Sequence, residues 1–427
     1  MIKIFLTGLL ITTTFFLWAQ KADDVFKVKE AERIINFLSS DEMRGRRVFS
    51  PEIDKAADFI AAEFKAAGLQ TWNNSNSFRQ EFVIVRPKFI SATATLDGAV
   101  VEQKNIIAAT CQPQLKIDQN SGYEKAMIKA GANLQTEARK YARGNKNMLV
   151  LVDKSFANNF GNLARLKSSM FKTASNVVFI LADTEPAAWS VEVMHEINEQ
   201  KMTNVVGVIP GKGKKDEYVI FSGHYDHIGV GKPVEGDSIY NGANDDAAGT
   251  TGVIMLARYF KQLNNNERTI VFAAFTAEES GGFGSQYFSR QFNPDKVMAM
   301  FNIEMIGTES KWGKNSAYIT GYDKTNMGEI LSKDLEGTGF TFQPDPYPTQ
   351  QLFYRSDNAT LARLGVPAHT ISTSKMDVEP HYHKPSDEVK TLDLENMTMV
   401  IKAIALSSKS IVSGKETPSR VKTEELR

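Results

Sequence analysis

The sequence predicts an α/β fold: a mostly parallel central sheet covered by helices on both faces, with an inserted α+β accessory subdomain. Three observations predict it. From about residue 204, short apolar runs recur with helical segments between them. Those runs are nearly continuous in apolar character, as strands buried on both faces are. Between about 91 and 203 the rhythm breaks into short strand-like runs and a basic stretch.

Taken in order, the chain opens with Lys3, an apolar stretch over 4–18, and Ala19-Gln20 leading into Lys21-Ala22-Asp23-Asp24. That is the layout of a cleaved secretory signal over 1–19. The stretch is short for a bilayer span. The expected placement is secreted or periplasmic, in a bacterium, with no stable membrane association after cleavage. Cys111 is the single cysteine, so no internal disulfide forms and the core or bound metal must carry stability. Lys+Arg and Asp+Glu balance at 50 each, so no global field points to nucleic acid.

Residues 20–90 read as the N-terminal part of a catalytic domain. One helix is expected over 25–38. Another over 51–68 places Ile53, Ala56, Ala57, Ile60, Phe64 and Ala67 on one face, with Ser50 as its cap and Gly68 as its stop. A strand follows over 77–85. The accessory subdomain, 91–203, holds apolar runs at 148–152 and 177–181. Its basic stretch, with Lys125, Lys129, Arg139, Lys140 and Arg143, reads as a solvated helix face. The catalytic core, 204–412, has strands at 204–209, 218–222, 269–275, 297–303 and 368–372, and helices over 247–263 and 284–292. The polar tail, 413–427, is expected to fray.

Five positions carry the chemistry. They are His224 in F-S-G-H-Y-D-H, Asp245 in N-G-A-N-D-D-A-A-G, Glu279 in F-T-A-E-E-S-G, Glu304 in F-N-I-E-M-I-G and His383 in H-Y-H-K-P-S-D. His224, Glu279 and Glu304 follow or close predicted strands, and Asp245 lies on a glycine-bounded loop before a helix. In open α/β sheets, ligands bind outside the carboxyl ends of strands, so these positions can share one rim. Carboxylates with two imidazoles suit zinc, with manganese or cobalt less favoured. Of the adjacent pair Glu278-Glu279, one can hold metal while the other serves as a general base. Asp226 is placed to accept the other imidazole N–H of His224. His227 and His381 flank the candidates and are read as non-ligands, His381 as a pocket-lining residue. His195 and His369 read as fold residues.

These motifs resemble the co-catalytic dizinc exopeptidase family, which takes in bacterial leucyl-type aminopeptidases and plasma glutamate carboxypeptidase, with glutaminyl cyclases as relatives. The similarity also covers S-S-D-E-M-R-G-R and A-A-D-F-I-A-A-E-F-K-A-A-G-L near the N-terminus, about residues 30–85 and 204–400 in all. The resemblance implies two zinc ions bridged by Asp245. His224 and Glu304 would complete one, Glu279 and His383 the other, with Glu278 as the base. It further implies a cis peptide after Asp245, giving Asp246 a structural role, and a Tyr382 that steadies an oxyanion. Glu304 departs from the family's commoner aspartate. Arg355 and Asn358 stand in R-S-D-N where relatives carry R-S-D-H. Arg355 is expected either to clamp a substrate carboxylate or to cap a helix in a salt bridge, and Asn358 to mark a different pocket. The expected partner is a peptide or dipeptide substrate. A single-zinc glutaminyl-cyclase-like acyltransferase and a non-catalytic receptor-like ectodomain stand as alternatives.

Overall fold

The computed structural model describes residues 24–426, and the leader expected at 1–19 lies outside them. The chain forms two compact units, one from the described parts of 1–81 and 202–427, the other from 82–201.

The larger unit begins with α1, Val28–Leu38, which buries Ala31, Ile34, Ile35 and Leu38 along one stripe. Next, α2, Pro51–Ala66, buries Ile53, Ala56, Ala57, Ile60 and Phe64, and Gly68 turns left-handed just past it (φ 77°). Ser50 precedes α2 but makes no capping bond, and its hydroxyl has no partner. Pro51 at the first helical position suits the start of the helix, and Glu52 and Asp54 in the first turn complement the helix dipole.

The sheet of this unit runs through β1 (Trp189–Ile209, in its final residues), β2 (Lys214–His224), β3 (Arg268–Phe275), β4 (Val297–Ile303), β5 (Ser316–Ile319), β6 (Thr341–Pro344) and β7 (Ala368–Ser372), with the short strand Gln70–Thr71 pairing antiparallel with β1. Their spatial order is β6-β5-β7-β4-β2-β3-β1. The central block β7-β4-β2-β3 is parallel throughout. It is flanked on one side by β1, antiparallel to β3, and on the other by β5, antiparallel to β7. The sheet is therefore mixed, which corrects the expected mostly parallel one. The apolar-run signal belongs to the parallel block, whose strands are buried on both faces.

Alternate residues confirm the two covered faces. Val219 and Phe221 of β2, Ile270 and Phe272 of β3 and Phe301 of β4 pack with α1, α2, α3 (Gly249–Leu263) and a C-terminal helix, Leu394–Ser407. On the other face, Ile220, Val271, Phe275 and Met300 meet Phe288 and Phe292, and also Leu361 and Val366. Phe221 anchors the first core, its ring 4.8 Å from Phe301 and 5.2 Å from Phe260. Register then sets the site. Ser222 lies opposite Ala273 and Asn302, and His224 opposite Phe275, so the carboxyl ends of β2, β3 and β4 finish at one level.

The tail expected to fray instead packs back. Fully buried Arg268 donates to the carbonyls of Ile411 (2.8 Å) and Glu416 (2.7 Å), Arg420 donates to Val297 O (2.8 Å), and Val421 is buried.

The 82–201 unit contains a four-stranded sheet ordered Ile106–Ala109, Val177–Leu181, Met148–Val152, Glu124–Ile128. Its first pairing is antiparallel and the other two parallel. Lys125 lies on a strand here, paired with Glu185 at 2.6 Å, and not on the expected basic helix, which is confined to Leu134–Ala142. Among the described residues no helix is long and apolar enough to cross a membrane.

Candidate metal centre

The rim formed by β2, β3 and β4 gathers the predicted residues. His224 ends β2, Glu304 follows β4, and Glu278-Glu279 follow β3 after a turn in which Ala277 is left-handed (φ 61°). Met305 (φ 52°) and His383 (φ 55°) are left-handed as well. Non-glycine residues in that region store local strain, and here each adjoins or is a residue singled out for the site.

Asp245 stands between two imidazoles. Its Oδ1 lies 3.2 Å from His224 Nε2, and its Oδ2 lies 3.3 Å from His383 Nε2. His383 Nε2 is also 3.3 Å from Glu279 Oε1. Two donors on one tetrahedral zinc, each about 2.0–2.2 Å from it, sit about 3.3–3.5 Å apart. These spacings therefore fit a metal between each pair. Two donor clusters emerge, His224–Asp245–Glu304 and His227–Asp245–Glu279. His227, read from the sequence as a bystander, faces Glu279 Oε1 through Nδ1 at 2.9 Å. The signal available was the second histidine of H-Y-D-H, three residues past the first.

Orphaned atoms point the same way. His224 Nε2, both ring nitrogens of His227 and Glu279 Oε1 are buried without a hydrogen-bond partner. Uncompensated buried polar atoms are costly, and a cation would satisfy them together. The acidic groups of Asp226, Asp245, Asp246, Asp357 and Asp387 are all at least 98% buried in the same region.

As protein groups alone, these carboxyls diverge. Burial would raise Asp245, yet the neighbouring imidazoles of His224 and His383 hold it well below the usual range. Glu279 is brought to about 2 against the same burial, by His227 and His383. Burial pushes Glu278 and Glu304 well up, and neighbouring carboxylates add to both, Asp357 among them. His383 is raised to about 10 despite burial, by Asp245 and Glu279. Groups pushed apart in this way divide naturally into ligand and proton carrier.

A set of outer contacts fixes the rim. His224 Nδ1 donates to the Asp226 backbone carbonyl at 3.1 Å, so Nε2 is left with its lone pair toward Asp245. The Asp226 carboxylate, expected to take that proton, is 3.7 Å away and instead accepts the Glu278 N–H at 3.0 Å. It thus orients the Glu278 backbone. The Asp245–Asp246 peptide is cis. Asp246 joins three segments, accepting from the backbone N–H groups of His224 (3.1 Å), Gly249 (3.0 Å) and Met305 (3.1 Å). Gly249 is required there, since a Cβ would lie 2.1 Å from Ile303 O. Asp387 accepts from Asn244 N (2.8 Å) and Asp245 N (3.0 Å), holding the bridging loop. Fully buried Arg46 donates to the carbonyls of Leu38, Tyr225, Asn241 and Gly242. Neither Asp387 nor Arg46 was singled out from the sequence, although both lie in the quoted motifs, P-S-D and R-G-R.

A cleft opens beside Glu304, with an empty volume of about 400 Å³ that includes its mouth. Arg355, Ser356 and Tyr382 line it near Glu304, with Thr320, Thr370 and Met376 elsewhere on its wall. Ser356 Oγ donates to Glu304 Oε2. Arg355 donates to Gln350 Oε1 (3.2 Å) and reaches Tyr382 Oη at 3.5 Å. The Tyr382 ring stacks on His383, centroids 3.9 Å apart. Asn358 sits behind this surface, fully buried, its amide spent on Phe353 O, Ala368 O and Thr370 Oγ1. His381 bonds Ser386 Oγ through Nδ1 at 3.0 Å.

The chain is similar to known peptidases over about half of its length. Residues 204–407 match Peptidase family M28. The match upholds the resemblance read from the motifs. Leucine aminopeptidase 1 of Ajellomyces dermatitidis is 27% identical over 210 residues, 45% of this chain and 52% of that protein. The chain spans about half the length of the curated relatives it matches. In fold, it is similar to BSAP, a zinc aminopeptidase from Bacillus subtilis, with a TM-score of 0.56 at 18% identity over 92% and 97% of the two chains. Glutaminyl cyclase from Porphyromonas gingivalis shares the fold at a TM-score of 0.50 and 13% identity, over 91% and 99%.

Proposed function

We propose that this chain is an exported zinc-dependent exopeptidase, an aminopeptidase or dipeptidase, using two zinc ions and Glu278 as general base. One observation carries the reading: Asp245 turns one oxygen to His224 and the other to His383, at 3.2 and 3.3 Å, as a carboxylate bridging two metals would. The leucine aminopeptidases among its relatives, and the zinc aminopeptidase of similar fold, support the substrate class.

His224, Asp245 and Glu304 would hold one zinc, and Asp245, Glu279 and His383 the other. Bound zinc supplies Lewis acidity, polarising a carbonyl oxygen and making a nearby water easier to deprotonate. The protein's own groups do the rest. Glu278, its carboxyl pushed up by burial and by Glu304, Asp357 and Glu279, takes the proton of the attacking water at its carboxylate. It then delivers that proton to the departing amide nitrogen. Tyr382, on the cleft wall, donates its hydroxyl to the oxygen developing charge. Arg355 offers a guanidinium to a carboxylate of the substrate, as a dipeptide's C-terminus would present.

The single-zinc cyclase reading is not favoured, because it leaves a complete second set of donors without a task. The non-catalytic reading leaves Glu278 and Glu279 unexplained together. Replacing Glu278 by Gln tests the reading: kcat on amino-acid amides should fall by roughly 10²–10⁴-fold with zinc content unchanged. Near-normal turnover in that variant refutes the role.

A further inference from the structure

The two proposed metal positions are not equally furnished. The first has three protein donors, His224, Asp245 and Glu304. At the second, His383 Nε2 stands 3.3 Å from both Asp245 and Glu279, and His227 Nδ1 stands 2.9 Å from that same Glu279 Oε1. The two rings meet edge to face, centroids 5.8 Å apart. His227 is 1% exposed, its Nδ1 faces a carboxylate oxygen that itself accepts no hydrogen bond, and its Nε2 has no partner among the described residues. Glycine at 242 makes room for it: the left-handed turn there (φ 60°) leaves no space for a Cβ, which would come 2.5 Å from the His227 ring.

We propose that His227 is a fourth protein ligand at the second position, so that the pair is asymmetric: a closed, retentive site of His227, Asp245, Glu279 and His383 beside an open, three-donor site. The inference rests on the metallopeptidase reading. Four protein donors fill a tetrahedral zinc, as in structural sites, whereas three leave a place for water or substrate. The closed ion therefore mainly fixes Asp245 and Glu279, and the open position receives the substrate's carbonyl oxygen. Zinc should also load and leave in a fixed order, the closed site filling first and emptying last.

The test is metal retention, read without substrate. Zinc-loaded full-length protein is dialysed against increasing dipicolinate, and zinc per chain is followed by elemental analysis. The native protein should fall from two zinc ions to one and hold there. His224→Ala, damaging only the open site, should hold the same last ion. His227→Ala should lose it at a chelator concentration at least about 100-fold lower, beyond the usual effect of an outer partner of a ligand. Equal loss of both ions from the native protein overturns the inference, as does a His227→Ala variant that retains its last zinc normally.

Should His227→Ala fail to fold, the native protein loaded with one equivalent of cobalt(II) decides. A closed site gives an intense visible spectrum that azide leaves unchanged, and an azide-induced shift of that first-bound ion overturns the proposal. Native protein that binds no zinc at all would instead defeat the metallopeptidase reading itself.

Discussion

Arg46 should be the residue on which the site's preorganisation most depends, although it touches no proposed ligand side chain. Its Nε donates to Tyr225 O at 2.8 Å, Nη1 to Leu38 O and Asn241 O at 2.5 and 2.6 Å, and Nη2 to Gly242 O at 2.9 Å. One guanidinium thus ties the end of α1 to the residue between His224 and Asp226, and to the two residues that lead into the Asp245 loop. Burial lowers it to about 10, with Asp226, Asp387, Asp246 and Asp245 opposing that fall, so it remains charged at neutral pH. Arg46→Met keeps most of the volume and removes all four bonds. Gly242 O retains a second donor, Ala247 N–H at 3.2 Å, so three carbonyls bear the main loss. At about 1–3 kcal/mol per buried group left unpaired, the cost is about 3–9 kcal/mol, comparable with a typical domain's whole stability. Arg46→Lys has no planar fork and should lose about half as much, on the order of 2–4 kcal/mol. Urea denaturation at fixed zinc, with the midpoint shift read at constant m, measures it. The lysine variant, which should fold, should also show weakened zinc retention, since both metal-bearing loops are pinned by this side chain. A lysine or methionine variant with an unchanged midpoint and unchanged zinc retention would refute the reasoning.

Other outcomes follow from the same geometry. Gly249→Ala forces a methyl to within 2.1 Å of Ile303 O and 2.4 Å of Asp246 Oδ2; it should cost about 3 kcal/mol or more and reduce zinc content by elemental analysis, and a fully loaded, normally stable variant would contradict it. Ser356→Ala removes the hydroxyl that donates to Glu304 Oε2; zinc at the His224–Asp245–Glu304 position should weaken roughly 10–100-fold in chelator competition, with the other position unaffected. In the 82–201 unit, burial and the Lys167 charge lower His195 to about 4, and its Nε2 lies 3.0 Å from Lys167 Nζ. The unfolded chain therefore takes up this proton first as pH falls. The stability is fully present above about pH 6.5 and is lost as pH falls toward 4. Hydrogen exchange of 177–181 across that window should show this slope in the native protein and a flattened one in His195→Gln; equal slopes would exclude His195 as its source.

What was legible in the sequence divides by the range of the interaction. The strands 148–152, 177–181, 297–303 and 368–372 stand where the apolar runs placed them, because a strand buried on both faces writes its burial into every residue. Strand direction is not written locally, so the antiparallel pairings of β1 and β5 escaped a reading built on apolar character. The Ser50 cap was expected from residue type alone, and its hydroxyl finds no partner among the described residues. The packed tail was missed because Arg268, which holds the Glu416 carbonyl, and Arg420, which ties the tail to the carbonyls of Val297 and Pro294, read as ordinary charge.

The candidate site divides in the same way. His224, Asp245, Glu279, Glu304 and His383 lie in distinctive local motifs, and the structure brings their side chains to one rim. His227 was set aside because adjacency to a ligand usually means nothing. Its meaning depends on where β2 ends and on the turn at Gly242 that leaves room for its ring. Asp226 shows the complementary error. Spacing alone suggested a carboxylate behind His224, but the backbone carbonyl reached the imidazole first, freeing the carboxylate to hold the Glu278 N–H. That exchange couples the two halves of the proposed chemistry, since a single residue at the end of β2 now fixes the His224 tautomer and the Glu278 backbone together. Substituting Asp226 by Asn should therefore disturb proton transfer more than zinc retention, because the carbonyl facing His224 survives the change while an amide must turn its oxygen toward Glu278 to replace the lost bond.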